Sequence, residues 1–321
     1  MTKQTLADEV LQNARESVFS NELDALKKGE MSIKDLLNYD FSQEDVEFMK
    51  EKLKRVSICK DSYTWGIDCI DEKITTPKKG KVIIMVSDEN QGKSTFSYFL
   101  ARKNYEKYNH NVVYFNLEQT KEEVINDMAI QYCGATKLEV RDNKHLEMRL
   151  YNKKVKELQE QKNIVFIGRK AENVTTMAEI KERIEDMPID YLLLDNLTCI
   201  SGVGANRNEE MKNIILELIS LAQKRNIPIL LIHHYRKKNG KTIGIYRDIH
   251  EMEGSGTLKN LAPIIIQVAR NPEPETKEEE AEFYIREGKL RGGARKESVC
   301  VKHDKGDFFK IKDTESSQFN N

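Results

Sequence analysis

Six short apolar runs recur between residues 81 and 268: KVIIMV at Lys81–Val86, NVVYFN at Asn111–Asn116, NIVFI at Asn163–Ile167, YLLL at Tyr191–Leu194, IPILLI at Ile227–Ile232 and PIIIQV at Pro263–Val268. None alternates apolar with polar residues. Each therefore reads as a strand buried on both faces, as in a parallel sheet covered by helices. Parallel neighbours need long crossovers, and helical patterns stand between the runs at about 93–108, 120–132, 178–186 and 209–225. The expected fold class is α/β: a mainly parallel twisted sheet flanked by helices, over residues 61–321. Glu282–Ile285 and Ser298–Val301 look like later strands, and Asn271–Glu282 reads as an acidic loop. Residues 1–60 differ. Leu6, Val10, Ala14 and Val18 recur every four residues, and Ser42 followed by Glu44 and Asp45 looks like a capped helix start. Too short of apolar mass for its own core, this segment is expected to be a helical arm packed on the main domain or on a neighbouring subunit.

The 321 residues carry 52 Lys+Arg against 53 Asp+Glu, a formal net charge of −1. That balance excludes a protein that holds nucleic acid by bulk positive charge. Any such contact has to come from local loops or from assembly. No apolar run approaches the ~20 residues that span a bilayer, and the first residues lack the apolar stretch of a secretory signal. No membrane partner is expected, and the expected location is cytoplasmic, in a cell or in the host of a phage. Cys59, Cys69, Cys133, Cys199 and Cys300 form no CxxC pair and read as reduced thiols, not as a disulfide frame or zinc site.

The first run leads into Ser87-Asp-Glu-Asn-Gln-Gly-Lys-Ser-Thr95 and then a helical stretch. This is the phosphate-loop pattern GxxxxGK[ST] with Ser87 at the first glycine. Backbone N–H groups across Ser87, Asn90, Gln91, Gly92 and Thr95, with the helix N-terminus, are placed to cradle phosphates. Lys93 supplies a point charge to the β- and γ-phosphates of ATP and the Ser94 hydroxyl a ligand for Mg2+. Asp195 ends the run YLLL, where a magnesium-bound water needs a hard oxygen partner. Glu118 follows the run NVVYFN and can polarise an attacking water, although on its own it also fits a solvated strand end. His233 and His234 end the run IPILLI. With no third ligand nearby, metal binding is disfavoured. His234 reads as a polar sensor of the terminal phosphate and His233 as a packed, hydrogen-bonded side chain.

Taken together, GKVIIMVSDENQGKSTF, NVVYFNLEQTKEEV, YLLLDNLTCISGVGANRNEEMKNI, IPILLIHHYRKK, EMEGSGTLKNLAPIIIQVARN and GKLRGGARKESVCVKHDKGDFF resemble the RecA-like motor domain of hexameric replicative helicases. The likeness covers about residues 62–312 and is strongest to the helicase half of phage primase-helicases and mitochondrial Twinkle, with bacterial DnaB more distant. The phage branch also tolerates serine at the first loop glycine. The resemblance implies a RecA-like P-loop core that unwinds DNA with ATP and Mg2+, with Glu118 as catalytic base, Asp195 in the Walker B position and His234 as phosphate sensor. It gives Lys289 and Arg291 as a basic pair reaching the nucleotide of the adjacent subunit, where composition alone reads a solvated strand end. Arg270 and His303 match positions flanking the nucleotide base, with His303 where that branch has tyrosine.

The resemblance further implies a homo-oligomer, most often a hexamer, on single-stranded DNA. The DNA contacts would come from Arg236, Lys237, Lys238 and Lys241 in one loop, and from Gly254, Ser255, Gly256 and Lys259 in a second. Glu253 stands where the family often has arginine, which weakens the second loop as a phosphate contact. Residues 1–60 are expected to be too short for a built-in primase, so a separate primase or replication protein is the expected partner. The competing expectation is a RecA- or KaiC-like ATPase serving as recombinase, loader or switch without unwinding.

Overall fold

The computed structural model describes residues 62–142, 148–169, 175–202, 204–236, 244–290, 298–305 and 307–310. The chain divides into two units, Met1–Ser57 and Ile58–Asn321. The described residues all belong to the second, and the expected helical arm at 1–60 lies outside them. In chain order the elements are α1 (Asp68–Lys73), β1 (Val82–Ser87), α2 (Lys93–Tyr108), β2 (Val112–Asn116), α3 (Lys121–Tyr132), α4 (Lys137–Arg141), α5 (Met148–Glu160) and β3 (Ile164–Gly168). There follow β4 (Thr175–Thr176), α6 (Met177–Arg183), β5 (Tyr191–Asp195), β6 (Ile200–Ser201), α7 (Arg207–Arg225) and β7 (Ile229–His234). The last are α8 (Ser255–Leu261), β8 (Ile264–Ala269), α9 (Lys277–Glu280), β9 (Glu282–Leu290), β10 (Ser298–Asp304) and β11 (Asp307–Lys310).

Nine strands form one sheet in the order β11-β10-β9-β8-β1-β7-β5-β2-β3. The six apolar runs are its six parallel strands, β8 through β3, while β9, β10 and β11 extend it antiparallel. Alternation of side chains along each strand splits the core in two. Ile83, Met85, Tyr114 and Leu193 face one side, against Phe96 and Phe99 of α2 and Met128 of α3. Val82, Ile84, Val113 and Leu192 face the other, against Ile214, Ile215 and Leu218 of α7. Both faces are covered, which is why the strands read as continuous apolar runs rather than alternating ones. Among the described residues no helix is long and apolar enough to cross a membrane.

The register sets up the site. Ser87 at the end of β1 lies beside His234 at the end of β7, and Asn116 at the end of β2 lies beside Asp195 at the end of β5. Polar residues thus gather at one edge, the C-terminal ends of parallel strands, where open α/β sheets bind their ligands.

Four details depart from the sequence expectation. Strand β7 starts two residues late, at Ile229, because Pro228 has no N–H to give a ladder and serves only as an acceptor from Leu192 N, and it continues through the histidine pair, which lies beside Val86 and Ser87 of β1. Helix α5 has no counterpart in the sequence expectation, although Tyr151, Val155 and Leu158 recur at helical spacing and pack toward the core. The supposed loop after Gly254 is the helix α8, with Gly254 in a left-handed conformation (φ 64°) at its start. The acidic stretch contains the short helix α9, capped by Thr276 accepting from Glu279 N.

Candidate functional site

The turn between β1 and α2 is closed by Gly92 at φ 84° and Asn90 at φ 59°, left-handed conformations that glycine and asparagine tolerate best. Gly92 caps α2 without a side-chain bond, so the first-turn N–H groups of α2 face the turn. A Cβ at Gly92 would stand 3.3 Å from the Arg270 guanidinium and 3.5 Å from Phe283. Lys93 is almost wholly buried. Its Nζ donates to Ser87 Oγ at 2.9 Å and to the carbonyls of Ser87, at 3.5 Å, and Asp88. Burial pushes its pKa down to about 8, against the opposing pull of Asp195 and Glu118. Serine at the first loop position therefore adds an acceptor that glycine would lack. Thr95 is half-buried, and its carbonyl accepts from Gln131 Nε2 at 2.8 Å.

Ser94 Oγ donates to Asp195 Oδ2 at 3.1 Å, and the same oxygen accepts from Tyr114 Oη at 2.9 Å. Asp195 is 1% exposed, and its carboxyl is pushed up first by burial and then by Glu118. A hydroxyl and a carboxylate on adjoining elements form an oxygen-only donor pair. That suits magnesium, which keeps several waters and takes few protein ligands. Tyr114 is a residue the sequence reading missed, and the only hint was a hydroxyl among apolar neighbours in β2. We predict that Tyr114→Phe leaves the fold intact but frees one Asp195 lone pair, at a cost of about 1–3 kcal/mol in carboxylate placement. The check is a direct Mn2+ titration by paramagnetic resonance in the presence of nucleotide, where weaker binding than wild type is expected.

Glu118 follows β2 on a loop that is held from four directions. Asn116 Oδ1 accepts from the N–H groups of Glu118 (3.0 Å) and Gln119 (2.9 Å). Gln119 Oε1 accepts from Tyr98 Oη and from Asn116 Nδ2, both at 2.9 Å, and Gln119 Nε2 donates to Asp127 at 3.1 Å. Leu117 N donates to Asp195 O. Finally, the loop backbone lies on Gly168 of β3, where a Cβ would come within 2.1 Å of Lys121 N. Gly168→Ala must displace that backbone. Overpacking of this kind costs about 1–3 kcal/mol, so a melting temperature several degrees lower, on the scale of roughly 2–4 °C per kcal/mol, together with reduced hydrolysis, is expected in a thermal scan and a turnover assay.

The Glu118 carboxylate accepts from Asn196 Nδ2 and lies 3.5 Å from His234 Nε2. Asn196 Nδ2 is also 2.9 Å from His234 Nε2. His234 Nε2 therefore lies between the Asn196 amide and the Glu118 carboxylate, and the ring tautomer sets whether it donates or accepts. His234 is the largest influence lowering the Glu118 pKa, against the opposite push of partial burial. Asn196 thus joins Glu118 to His234, and its place directly after Asp195 was the signal available in the sequence. His233 is fully buried, donates from Nε2 to Glu253 O at 2.8 Å, and is pushed down to about 4 by burial.

Ser87, Lys93, Ser94, Asp195, Glu118 and His234 therefore meet at one edge. Gln91, Arg270 and His303 form a flank beside them. Arg270 N donates to Gln91 Oε1 at 2.7 Å and Arg270 Nη2 to His303 Nδ1 at 2.9 Å. Burial and then Arg270 push His303 down to about 4, so its ring is neutral and accepts. Lys289 stands elsewhere, its Nζ donating to the carbonyls of Lys259 and Ala262 at the C-terminal end of α8, a favourable place for a cation. Lys259 Nζ donates to the His250 ring, and Arg236 carries an exposed side chain. Ser255 opens α8, a Cβ at Gly254 would meet Met211 Sδ at 2.5 Å, and Gly256 faces open space. Lys237, Lys238, Lys241 and Arg291 lie outside the described residues.

A family model described as the DnaB-like helicase C-terminal domain matches residues 63–313. Two curated relatives, both described as probable plasmid replicative DNA helicases of Chlamydia trachomatis, one from serovar L2, are each 23% identical over 246 residues. These matches cover 74% of this chain and 52% of each relative, so the chain spans about half the length of the curated relatives it matches. Among solved structures, a DnaB-like replicative helicase, described with its interactions with primase, superposes with a TM-score of 0.65 at 15% identity, covering 96% of this chain and 78% of that one. A KaiC-like protein from Pyrococcus horikoshii OT3 superposes with a TM-score of 0.53 at 15% identity, covering 78% of this chain and 98% of that one. These structural likenesses concern the RecA-like fold.

Proposed function

Since the chain belongs to the family of DnaB-like helicase C-terminal domains, we propose that it is the motor of a replicative DNA helicase, a magnesium-dependent ATPase that moves along single-stranded DNA as a ring of copies. The observation that carries this reading is the meeting of Lys93, Ser94, Asp195, Glu118 and His234 at the C-terminal edge of adjacent parallel strands. The first turn of α2 and the Lys93 ammonium bind the phosphates. Ser94 and Asp195 would hold magnesium, which would supply charge neutralisation on the transferred phosphoryl group. Glu118, kept ionised by His234 and aimed by Asn196, takes the proton of the attacking water. His234, within reach of both Glu118 and Asn196, senses the terminal phosphate. Arg270 and His303 flank the base.

Lys289 and Arg291 complete the site of a neighbouring copy, where a cation supplied in trans makes hydrolysis depend on the ring. A hexamer fits this arrangement. Arg236, Lys237, Lys238 and Lys241, with Gly254, Ser255, Gly256 and Lys259, track the DNA backbone toward the channel. One solved relative is described with a primase, and we propose a separate primase or replication protein as a partner here, with the protein acting in the cytoplasm. The test compares ATP turnover with and without single-stranded DNA, alongside unwinding of a forked duplex. Turnover stimulated by DNA and displacement of the strand are expected. Turnover indifferent to DNA with no displacement would replace this reading with that of a KaiC-like switch.

A further inference from the structure

Arg247 belongs to none of the groups above, yet it is the most heavily bonded cation among the described residues. It precedes the turn Ile249–Glu251, and its side chain is only 6% exposed. Its Nη1 donates to Asp88 Oδ1 at 2.5 Å. Its Nε and Nη2 both reach Glu251 Oε2, at 2.9 and 2.6 Å, and Nη2 also donates to the carbonyl of Arg236 at 3.1 Å. The guanidinium lies over the Tyr235 ring, 4.8 Å from its centre. Its own backbone is pinned as well, since Arg247 O accepts from Gln267 Nε2 at 2.7 Å, and Gln267 Oε1 accepts from Arg286 Nε of β9 at 2.8 Å.

We propose that Arg247 is a positioning residue that ties the phosphate loop, through Asp88, to the two segments flanking the proposed DNA contacts. One segment ends at Arg236. The other runs from Glu251 through Gly254 into α8. The inference rests on the reading of the chain as a DNA-dependent motor.

The physical argument concerns Asp88, which is held at both ends. Its carbonyl accepts from the Lys93 ammonium, and its carboxylate accepts from Arg247. Phosphates compete for Lys93, so nucleotide binding withdraws the ammonium from the Asp88 carbonyl. The residue that loses this bond is the one Arg247 grips, so the change arrives at an anchor shared with Arg236 and Glu251. A planar guanidinium presents its donors as a rigid fork that spans acceptors on separate segments, whereas an ammonium gathers its three donors at one atom. Arg247 joins the phosphate loop to both segments by side-chain bonds. A purely structural ion pair would stabilise the fold without making affinity for DNA depend on the nucleotide.

The experiment measures the dissociation constant for a single-stranded oligonucleotide by fluorescence anisotropy, with a non-hydrolysable ATP analogue and with ADP, on the full chain. Wild type is expected to give an affinity ratio between the two states within the usual coupling range of about 5–150-fold. In Arg247→Gln that ratio is expected to fall to about one, while turnover without DNA stays near the wild-type rate. Arg247→Gln leaves Asp88 and Glu251 without their partner and is at risk of misfolding. Arg247→Lys keeps the charge, and it too is expected to lose most of the ratio. A wild-type ratio in folded Arg247→Lys overturns the inference and leaves the motor reading standing. A wild type with no nucleotide-dependent binding and no DNA-stimulated turnover overturns both.

Discussion

Replacing Glu118 by glutamine is expected to leave nucleotide binding intact and to reduce turnover by about 10²–10⁴-fold, the usual contribution of a positioned general base. The geometry makes this a clean substitution. Glutamine keeps the oxygen that accepts from Asn196 Nδ2, and the loop is fixed by Asn116, Gln119 and Gly168 rather than by the carboxylate. Only basicity is lost. Single-turnover hydrolysis of radiolabelled ATP, read beside equilibrium binding of a fluorescent nucleotide, separates the two effects. Turnover within a few-fold of wild type would remove Glu118 from the reaction. The pH profile gives a second reading. A base must be ionised to act, and His234 lowers the Glu118 pKa below the ordinary glutamate value. Activity is therefore present above that depressed value and lost as pH falls through it, so the acid limb lies below the usual glutamate range. Glu118→Gln erases that limb.

Lys93→Ala is expected to act one step earlier. Charge-assisted bonds of the kind its ammonium can make to phosphate are worth about 1.5–3 kcal/mol each. Nucleotide affinity should fall roughly 10–150-fold per bond lost, and turnover with it. Titration calorimetry measures the affinity. Its pH dependence carries a further expectation. Lys93 has its pKa lowered to about 8 by burial, so in the free protein the ammonium is present below pH 8 and neutral above it. Affinity for a polyanion is then steady below pH 8 and declines as pH rises through it. The alanine variant lacks that decline. The sign for stability is the reverse. A lysine whose folded pKa lies below its unfolded value of 10.5 disfavours the folded state at pH below 8, and this penalty disappears as pH rises from 8 toward 10.5. Lys93→Ala is therefore expected to melt no lower than wild type at neutral pH, which separates lost binding from lost folding. Nucleotide bound as tightly as by wild type would sink the phosphate-loop reading.

The fold was legible because its six parallel strands are buried on both faces and so leave uninterrupted apolar runs in the chain. Ser87, Asp195 and His234 were legible for the same reason, each ending such a run, and Glu118 follows one closely. What stayed hidden has no local signal. Tyr114 touches Asp195 from another strand, 81 residues away in sequence, and Arg247 meets Asp88 from 159 residues away. Helix α8 was hidden by its glycines.

The sequence by itself determined the class of fold, the phosphate loop and the acids at the strand ends, because backbone geometry and side-chain burial leave periodic marks in a chain. Only the tertiary structure decided which of those acids share a hydrogen bond, that Asn196 stands between Glu118 and His234, that Lys289 rests on the end of α8, and that Arg247 grips the phosphate loop. Those pairings depend on strand order and register, and these are fixed by how two apolar faces close over one sheet, not by any segment alone.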